Sequence, residues 1–240
     1  MLASTVLADH EAVSTAAAVS IAARLESKPH ALLCLATGAT PLRTYEILAR
    51  HGRAAPCLTR FMKVIKLDEW GGLAMERPGT CETFLRNTLI TPLGLDSRYV
   101  GFNSNPANPG AECTRIRDWL AANGPIDTAI LGLGLNGHLG FNEPDDALQP
   151  HAHIASLSPE SLRHSMLANE PERPTFGLTL GMSDLLHARR ILLLVTGKAK
   201  RDALRRLLQG PITTRFPASF LHLHPEVTLL VDAAAAGRNH

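Results

Sequence analysis

Short apolar runs recur along this chain at Ala31 to Ala36, Val64 to Leu67, Ile126 to Leu131, Ile191 to Val195 and Val227 to Val231, and segments of helical composition separate them. Each run is too short for a typical helix and reads as a strand buried on both faces. The segments between them, Leu42 to Arg50, Cys81 to Leu89, Glu112 to Ala122 and Lys198 to Leu208, read as helices. Strands alternating with helices predict an α/β fold, a mostly parallel sheet with helices on both faces, in a single domain over residues 1–240. The alanine-rich segment Asp9 to Ser27, free of Gly and Pro, predicts a further helix that precedes the first strand, with Asp9 or its neighbours favouring its N-terminus. Such a sheet binds ligand at the carboxyl ends of its strands, where the strand order reverses. The stretches Asn103 to Gly110 and Ser158 to Pro174 read as surface connections or a mobile lid.

A length of 240 residues suits one α/β domain, and a formal charge of +2 gives no reason to expect nucleic acid or an anionic membrane as partner, so any basic groups must act locally. The four cysteines, Cys34, Cys57, Cys81 and Cys113, have neither the spacing of a disulfide framework nor a CxxC pair, so reduced thiols are expected. The N-terminal MLASTVLADHEAV has no basic segment before its apolar residues, and nothing approaches about eighteen uninterrupted apolar residues. Neither export nor membrane insertion is predicted, and a cytoplasmic location is expected.

The chemistry-bearing motifs follow the strands. Thr37-Gly38-Ala39-Thr40-Pro41 links the first apolar run to a helix. It reads either as an anion cradle, with a glycine turn and the N–H groups of a helix N-terminus, or as an ordinary turn with Thr40 as N-cap and Pro41 at the first helical position. Lys66-Leu67-Asp68-Glu69-Trp70 ends a strand in adjacent carboxylates, of which alternation sends only one into a cleft. That one serves as a general base or merely caps a turn.

The segment from Gly132 to Pro144 contains G-x-G-x-x-G at Gly132, Gly134 and Gly137. A dinucleotide site is excluded, because Pro144 cuts the helix such a loop should open and the next strand, around His153 to Ser156, ends without a carboxylate. What remains is a glycine-rich loop presenting His138 and Glu143, an imidazole able to exchange protons near neutral pH and a carboxylate able to orient it. Lys198 and Lys200 follow a strand through Gly197, either reaching an anion or decorating a solvated turn. His222 and His224 would share a face if extended, but no third ligand joins them, so no metal is expected.

Taken in order, Ala36-Thr37-Gly38-Ala39-Thr40-Pro41, Leu67-Asp68-Glu69-Trp70, Gly137-His138-Leu139-Gly140-Phe141-Asn142-Glu143-Pro144 and Gly197-Lys198-Ala199-Lys200 resemble the glucosamine-6-phosphate deaminase and isomerase family, which also includes 6-phosphogluconolactonases. The resemblance runs from about Ala31 to Asp232 and implies a Rossmann-like sheet of the deaminase/isomerase type. Deaminases carry Phe-Asn-Glu-Pro after Gly-His, whereas lactonases typically read Ser-Leu-Phe-Pro after two intervening residues; this chain has the deaminase form. Cys34 to Pro41, Pro78 to Phe84 and Pro217 to Leu221 resemble more closely the bacterial galactosamine-6-phosphate deaminating isomerases.

Residue by residue, the resemblance implies that Asp68 moves the proton from C2 to C1, that His138 opens the sugar ring, and that Glu143 supports His138. It assigns the 6-phosphate to Lys200 with Thr37, Gly38, Ala39 and Thr40, and adds His164 or Arg163 from the lid. Asn136 stands where the glucosamine enzymes usually carry an aspartate, which shifts support of the imidazole toward Glu143. Cys81 stands where they commonly carry a tyrosine. The expected reaction converts galactosamine 6-phosphate to tagatose 6-phosphate and ammonia, with no cofactor and no metal. The alternatives are fructose 6-phosphate from glucosamine 6-phosphate, a lactonase, or a non-catalytic sugar-phosphate sensor. The expected partner is the small amino-sugar phosphate. Hexameric members are known in the family, but no motif here decides between a homo-oligomer and a single chain.

Overall fold

The computed structural model describes residues 2–159 and 161–238. Its strands are β1 (Ser4–Leu7), β2 (Leu32–Leu35), β3 (Lys63–Lys66), β4 (Asp68–Gly71), β5 (Tyr99–Val100), β6 (Thr128–Gly132), β7 (His153–Ala155), β8 (Phe176–Thr179), β9 (Ile191–Val195) and β10 (Val227–Asp232). The helices are α1 (His10–Ser27), α2 (Ala39–Ala54), α3 (Cys81–Leu85), α4 (Thr91–Leu93), α5 (Pro109–Asn123), α6 (Met182–Leu186) and α7 (Arg201–Gln209). A seven-stranded sheet, ordered β1-β10-β9-β6-β2-β3-β5, is parallel at every pairing. A three-stranded antiparallel sheet, β4-β8-β7, stands beside it.

Alternation along the central strands builds a core on each face. Leu33, Leu35, Ile130, Leu192 and Leu194 meet Val13, Ala17 and Ile21 of α1 and Tyr45 and Leu48 of α2. Their neighbours Cys34, Leu131, Leu193 and Val195 meet Ile116 of α5 and Leu204 and Leu207 of α7 on the opposite face. Both faces are covered by helices, which is why these strands read as unbroken apolar runs. Among the described residues no helix is long and apolar enough to cross a membrane.

Several sequence expectations need correction. The Asp9 to Ser27 helix forms, and the Asp9 side chain accepts the Ala12 N–H at 2.8 Å, but a strand precedes it. That strand, Ser4–Leu7, is short and only half-buried at the sheet edge, so it lacks the apolar run that marks its neighbours. The Cys81 to Leu89 helix is interrupted: α3 gives way to a wider π turn over Arg86–Ile90 before α4. Asp68 and Glu69 do not end their strand segment either. Leu67 donates its N–H to Leu35 O of the large sheet at 3.1 Å, while its carbonyl accepts the Leu180 N–H at 2.9 Å. The chain therefore crosses from one sheet into the other at Leu67, and Asp68 and Glu69 open β4.

Candidate active site

The chain runs from β2 outward to β3 and β5, then returns to place β6 on the other side of β2. This reversal opens a crevice at the carboxyl ends of β2 and β6. A cavity of about 370 Å³ lies there. Of the residues expected to form a site, Thr37, Gly38, Ala39, Thr40, Asp68, His138, His164 and Lys200 line it. Asn136 and Glu143 do not; they stand behind His138.

One end of the cavity is built for an anion. Helix α2 begins at Ala39 with Gly38 as its N-cap, at φ 101°, and no side chain caps it. Thr40 is therefore not the N-cap, and Pro41 falls inside the first turn. The positive φ is one that glycine adopts without strain, and the uncapped helix start presents backbone donors and a positive dipole end. Lys200 joins this end from the turn after β9. Burial lowers the proton affinity of its ammonium, a cost that a bound anion would offset. Lys198 is exposed and takes no part.

His164 closes the same end from the 158–174 stretch. Its ring packs over Gly38, where an added Cβ would come within 3.2 Å, and its centroid lies 5.9 Å from that of Trp70. The His164 Nδ1 accepts the Met166 N–H at 3.3 Å, leaving Nε2 as the protonated nitrogen of the neutral ring. Burial, then the charges of His138 and Lys200, hold His164 below the ordinary histidine range. Arg163 lines the cavity as well.

The middle of the cavity holds Asp68, 8% exposed. Its carboxylate receives one weak contact, from the Cys81 thiol at 4.0 Å. Burial, reinforced by the charge of Glu69 and opposed by that of Lys66, raises its pKa from 3.8 to about 7. Glu69 points the other way. One of its oxygens accepts the Trp70 and Cys81 N–H groups at 2.8 and 2.9 Å, and the other accepts the Glu82 N–H at 2.8 Å and Lys66 Nζ at 2.6 Å. Glu69 thereby caps α3 while its neighbour stays available in the cavity. Lys66 also donates to Glu82 at 2.7 Å, and Glu82 receives the Tyr99 hydroxyl at 2.6 Å.

The glycine-rich loop is folded around His138. Gly134 donates its N–H to His138 O at 3.0 Å, and a Cβ on Gly134 would stand 2.5 Å from the imidazole, so only glycine admits the ring there. Asn136 accepts the His138 N–H at 3.1 Å and donates from Nδ2 to Glu143 at 2.8 Å. The His138 Nδ1 faces that same Glu143 oxygen at 3.4 Å, an ion-pair distance longer than a well-formed hydrogen bond. The other Glu143 oxygen accepts the Ser161 hydroxyl. Burial alone would raise the Glu143 pKa, but His138, Ser161 and Asn136 together bring it down to about 2. With Nδ1 turned to a fixed carboxylate, Nε2 is the nitrogen left for proton exchange in the cavity.

The arrangement thus offers an anion cradle, a buried carboxylate with a proton affinity near neutrality, and an oriented imidazole. These are the elements of proton transfer between neighbouring carbons of a phosphorylated substrate. His222 and His224 lie elsewhere, in and at the end of a 3₁₀ turn over Pro217–Leu223, where they donate to Leu207 O at 2.7 Å and Ala188 O at 2.8 Å. Among the described residues no three His, Cys, Asp or Glu side chains are grouped to hold a metal. All four cysteines are free.

Residues 8–230 match the family model for glucosamine-6-phosphate isomerases/6-phosphogluconolactonase. The chain belongs to this family. Within it, the chain is 43% identical to "Putative deaminase AgaI" of Escherichia coli (strain K12), over 93% of this chain and 89% of that protein. It is 36% identical to glucosamine-6-phosphate deaminase 1 of Bacillus subtilis (strain 168), over 95% of each. Among solved structures, one described as a monomeric glucosamine-6-phosphate deaminase superposes with a TM-score of 0.92 at 34% identity, covering 99% of this chain and 100% of that one. The α/β fold is that of the glucosamine-6-phosphate isomerase family.

Cys81, which the sequence marked only as a departure from the tyrosine of the glucosamine enzymes, lines the cavity and receives a hydrogen bond from the Thr37 hydroxyl at 3.1 Å. Sequence reading missed the roles of Lys66 and Ser161. Lys66 carried a signal, being a charge between the apolar Ile65 and Leu67. Ser161 carried none, since nothing distinguishes one serine of a polar stretch until the chain folds over Glu143.

Proposed function

We propose that this protein isomerises and deaminates galactosamine 6-phosphate, releasing tagatose 6-phosphate and ammonia. The observation that carries the reading is the presence of Asp68 and His138 in one cavity whose end is formed by Gly38 and Lys200. A closed amino sugar has no acidic hydrogen at C2, so the ring must open first. His138 supplies that step by passing a proton to the ring oxygen and accepting one from the C1 hydroxyl. Asp68, ionised, then takes the C2 proton to give an enolamine and returns it to C1, forming the ketimine. Water adds at C2 and ammonia leaves. Contacts to the phosphate, remote from the reacting carbons, hold C1 and C2 against Asp68.

The galacto assignment is supported by the segments around Cys34, Cys81 and Ser219, which resemble those of galactosamine-6-phosphate deaminating isomerases, and the 43% identity to the E. coli "Putative deaminase AgaI" supports the deamination. A second reading, glucosamine 6-phosphate as substrate and fructose 6-phosphate as product, is supported by the B. subtilis relative and the superposed structure. The sugars differ only at C4. Ammonia release from both, measured side by side without added metal, tests the proposal. Preference for the galacto sugar is expected. Preference for the gluco sugar would keep the chemistry and overturn the substrate. Ammonia from neither, with hydrolysis of 6-phosphogluconolactone, would overturn both in favour of a lactonase.

A further inference from the structure

We propose that Ser161 is a positioning residue for ring opening, acting through Glu143 and making the imidazole–carboxylate pair competent only when the segment bearing Arg163 and His164 is seated over the cavity. This rests on the deaminase reading above. Glu143 does not line the cavity shared by Asp68 and His138; it lines a neighbouring one of about 350 Å³. Its influence on a bound sugar therefore passes through His138 Nδ1, 3.4 Å away. Asn136 fixes one Glu143 oxygen, but Asn136 belongs to the loop of His138 and moves with it. The other oxygen depends on Ser161, which belongs to the segment between β7 and β8.

The Ser161 hydroxyl is itself held in place. Ser158 accepts the Ser161 N–H at 3.1 Å and donates its own hydroxyl to Ser161 Oγ at 3.2 Å. Ser161 is 4% exposed and spends its single hydroxyl proton on Glu143, so the chain runs in one direction, from Ser158 through Ser161 to the carboxylate, each bond polarising the next. Two residues further on, Arg163 and then His164 line the cavity wall, with His164 resting on Gly38 at the anion end. One short segment thus touches both the phosphate cradle and the carboxylate behind the imidazole. When it is displaced, one Glu143 oxygen loses its donor, the soft terminal torsion of the side chain is freed, and His138 loses a fixed acceptor.

The test uses Ser161→Ala and Ser161→Thr in the full chain, assayed with amino-sugar phosphate carrying hydrogen or deuterium at C2. Loss of a hydrogen bond to a charged group predicts a kcat about tenfold lower for the alanine variant, with KM within about twofold of wild type. The C2 deuterium effect should diminish, because ring opening then limits the rate, and threonine should restore both. An unchanged kcat, an undiminished deuterium effect accompanying the loss, or no recovery with threonine would overturn the proposal. Should the alanine variant fail to fold, Ser158→Ala, which only loosens the Ser161 hydroxyl, should show a smaller loss in the same sense, and no loss would overturn it.

A second arm needs no turnover. The Nδ1 of His138 faces Glu143 at 3.4 Å, so the ring nitrogen signal of His138, followed by NMR at one pH, reports that contact. The signal should move in Ser161→Ala and return with Ser161→Thr; an unmoved signal overturns the Ser161 proposal even in an active enzyme. Absence of ammonia release by wild type alongside a moved signal would instead overturn the deaminase reading and leave the Ser161–Glu143–His138 coupling standing.

Discussion

Asp68 and Glu69 are adjacent in the chain and opposite in the fold. The Asp68 carboxylate faces the cavity, while that of Glu69 is fixed by three backbone N–H groups and Lys66. The two carboxylates divide the work: Glu69 accepts the hydrogen bonds that hold α3 and the wall of the site, and its charge helps raise the proton affinity of Asp68 toward neutrality.

If Asp68 is the base for C2, replacing it by asparagine removes the proton acceptor while preserving shape. Turnover of Asp68→Asn should fall at least about 10³-fold, within the range for general base catalysis, while binding of a sugar phosphate measured by calorimetry stays within about threefold of wild type. Full turnover by the variant would refute the role.

The raised pKa of Asp68 has a sign in both activity and stability. The ionised form is the base, so kcat/KM, which reports the free enzyme, should climb with pH to a plateau above about 7. For stability, Asp68 is protonated in both folded and unfolded chains below 3.8, and between there and about 7 only the unfolded chain releases the proton. Stability present in acid is therefore lost as pH rises through about 7, by up to about 4 kcal/mol. The difference in unfolding free energy between wild type and Asp68→Asn, measured in urea from pH 4 to 8, should shift against wild type across that window. A constant difference would show that Asp68 titrates normally.

Lys200 should contribute to binding more than to chemistry. Lys200→Met removes a charge-assisted contact to phosphate and should raise KM by about 10- to 100-fold with a smaller change in kcat. In wild type, KM should rise with added salt, and the variant should lose most of that dependence. Equal salt dependence in both proteins would place the anion elsewhere.

Lys66 is fully buried between Glu69 and Glu82, with which it pairs at 2.6 and 2.7 Å. Lys66→Met leaves buried Glu69 without its cation, while Glu82 keeps Arg86 at 2.6 Å, and should cost about 3–5 kcal/mol, read from urea unfolding midpoints. Adding Glu69→Gln should recover part of that loss, because the double variant removes the stranded charge; a double variant no more stable than the single one would deny the coupling.

Much of the architecture was legible because a buried parallel strand has no polar face. The run Ile191 to Val195 matches β9 end to end, its residues alternating between the two cores. Ser4–Leu7 and Tyr99–Val100 were not legible: they lie at the two edges of the sheet, are short, and are only partly buried, so their sequences carry little of the pattern. That Gly38, Asp68 and His138 would meet in one crevice was legible because each follows a strand directly.

By itself the sequence determined the class of fold, the end of the sheet at which the crevice opens, and the residue types presented there, since period-two burial and glycine-rich turns are local properties. Only the tertiary structure decided which carboxylate faces the cavity, that Asn136 and Glu143 stand behind His138, and that Ser161 closes on Glu143 from 18 residues along the chain. The crossing of Leu67 between two sheets sets the first, and the folding of the 158–174 stretch over the crevice sets the last. Both depend on contacts between segments distant in sequence, which no local pattern encodes.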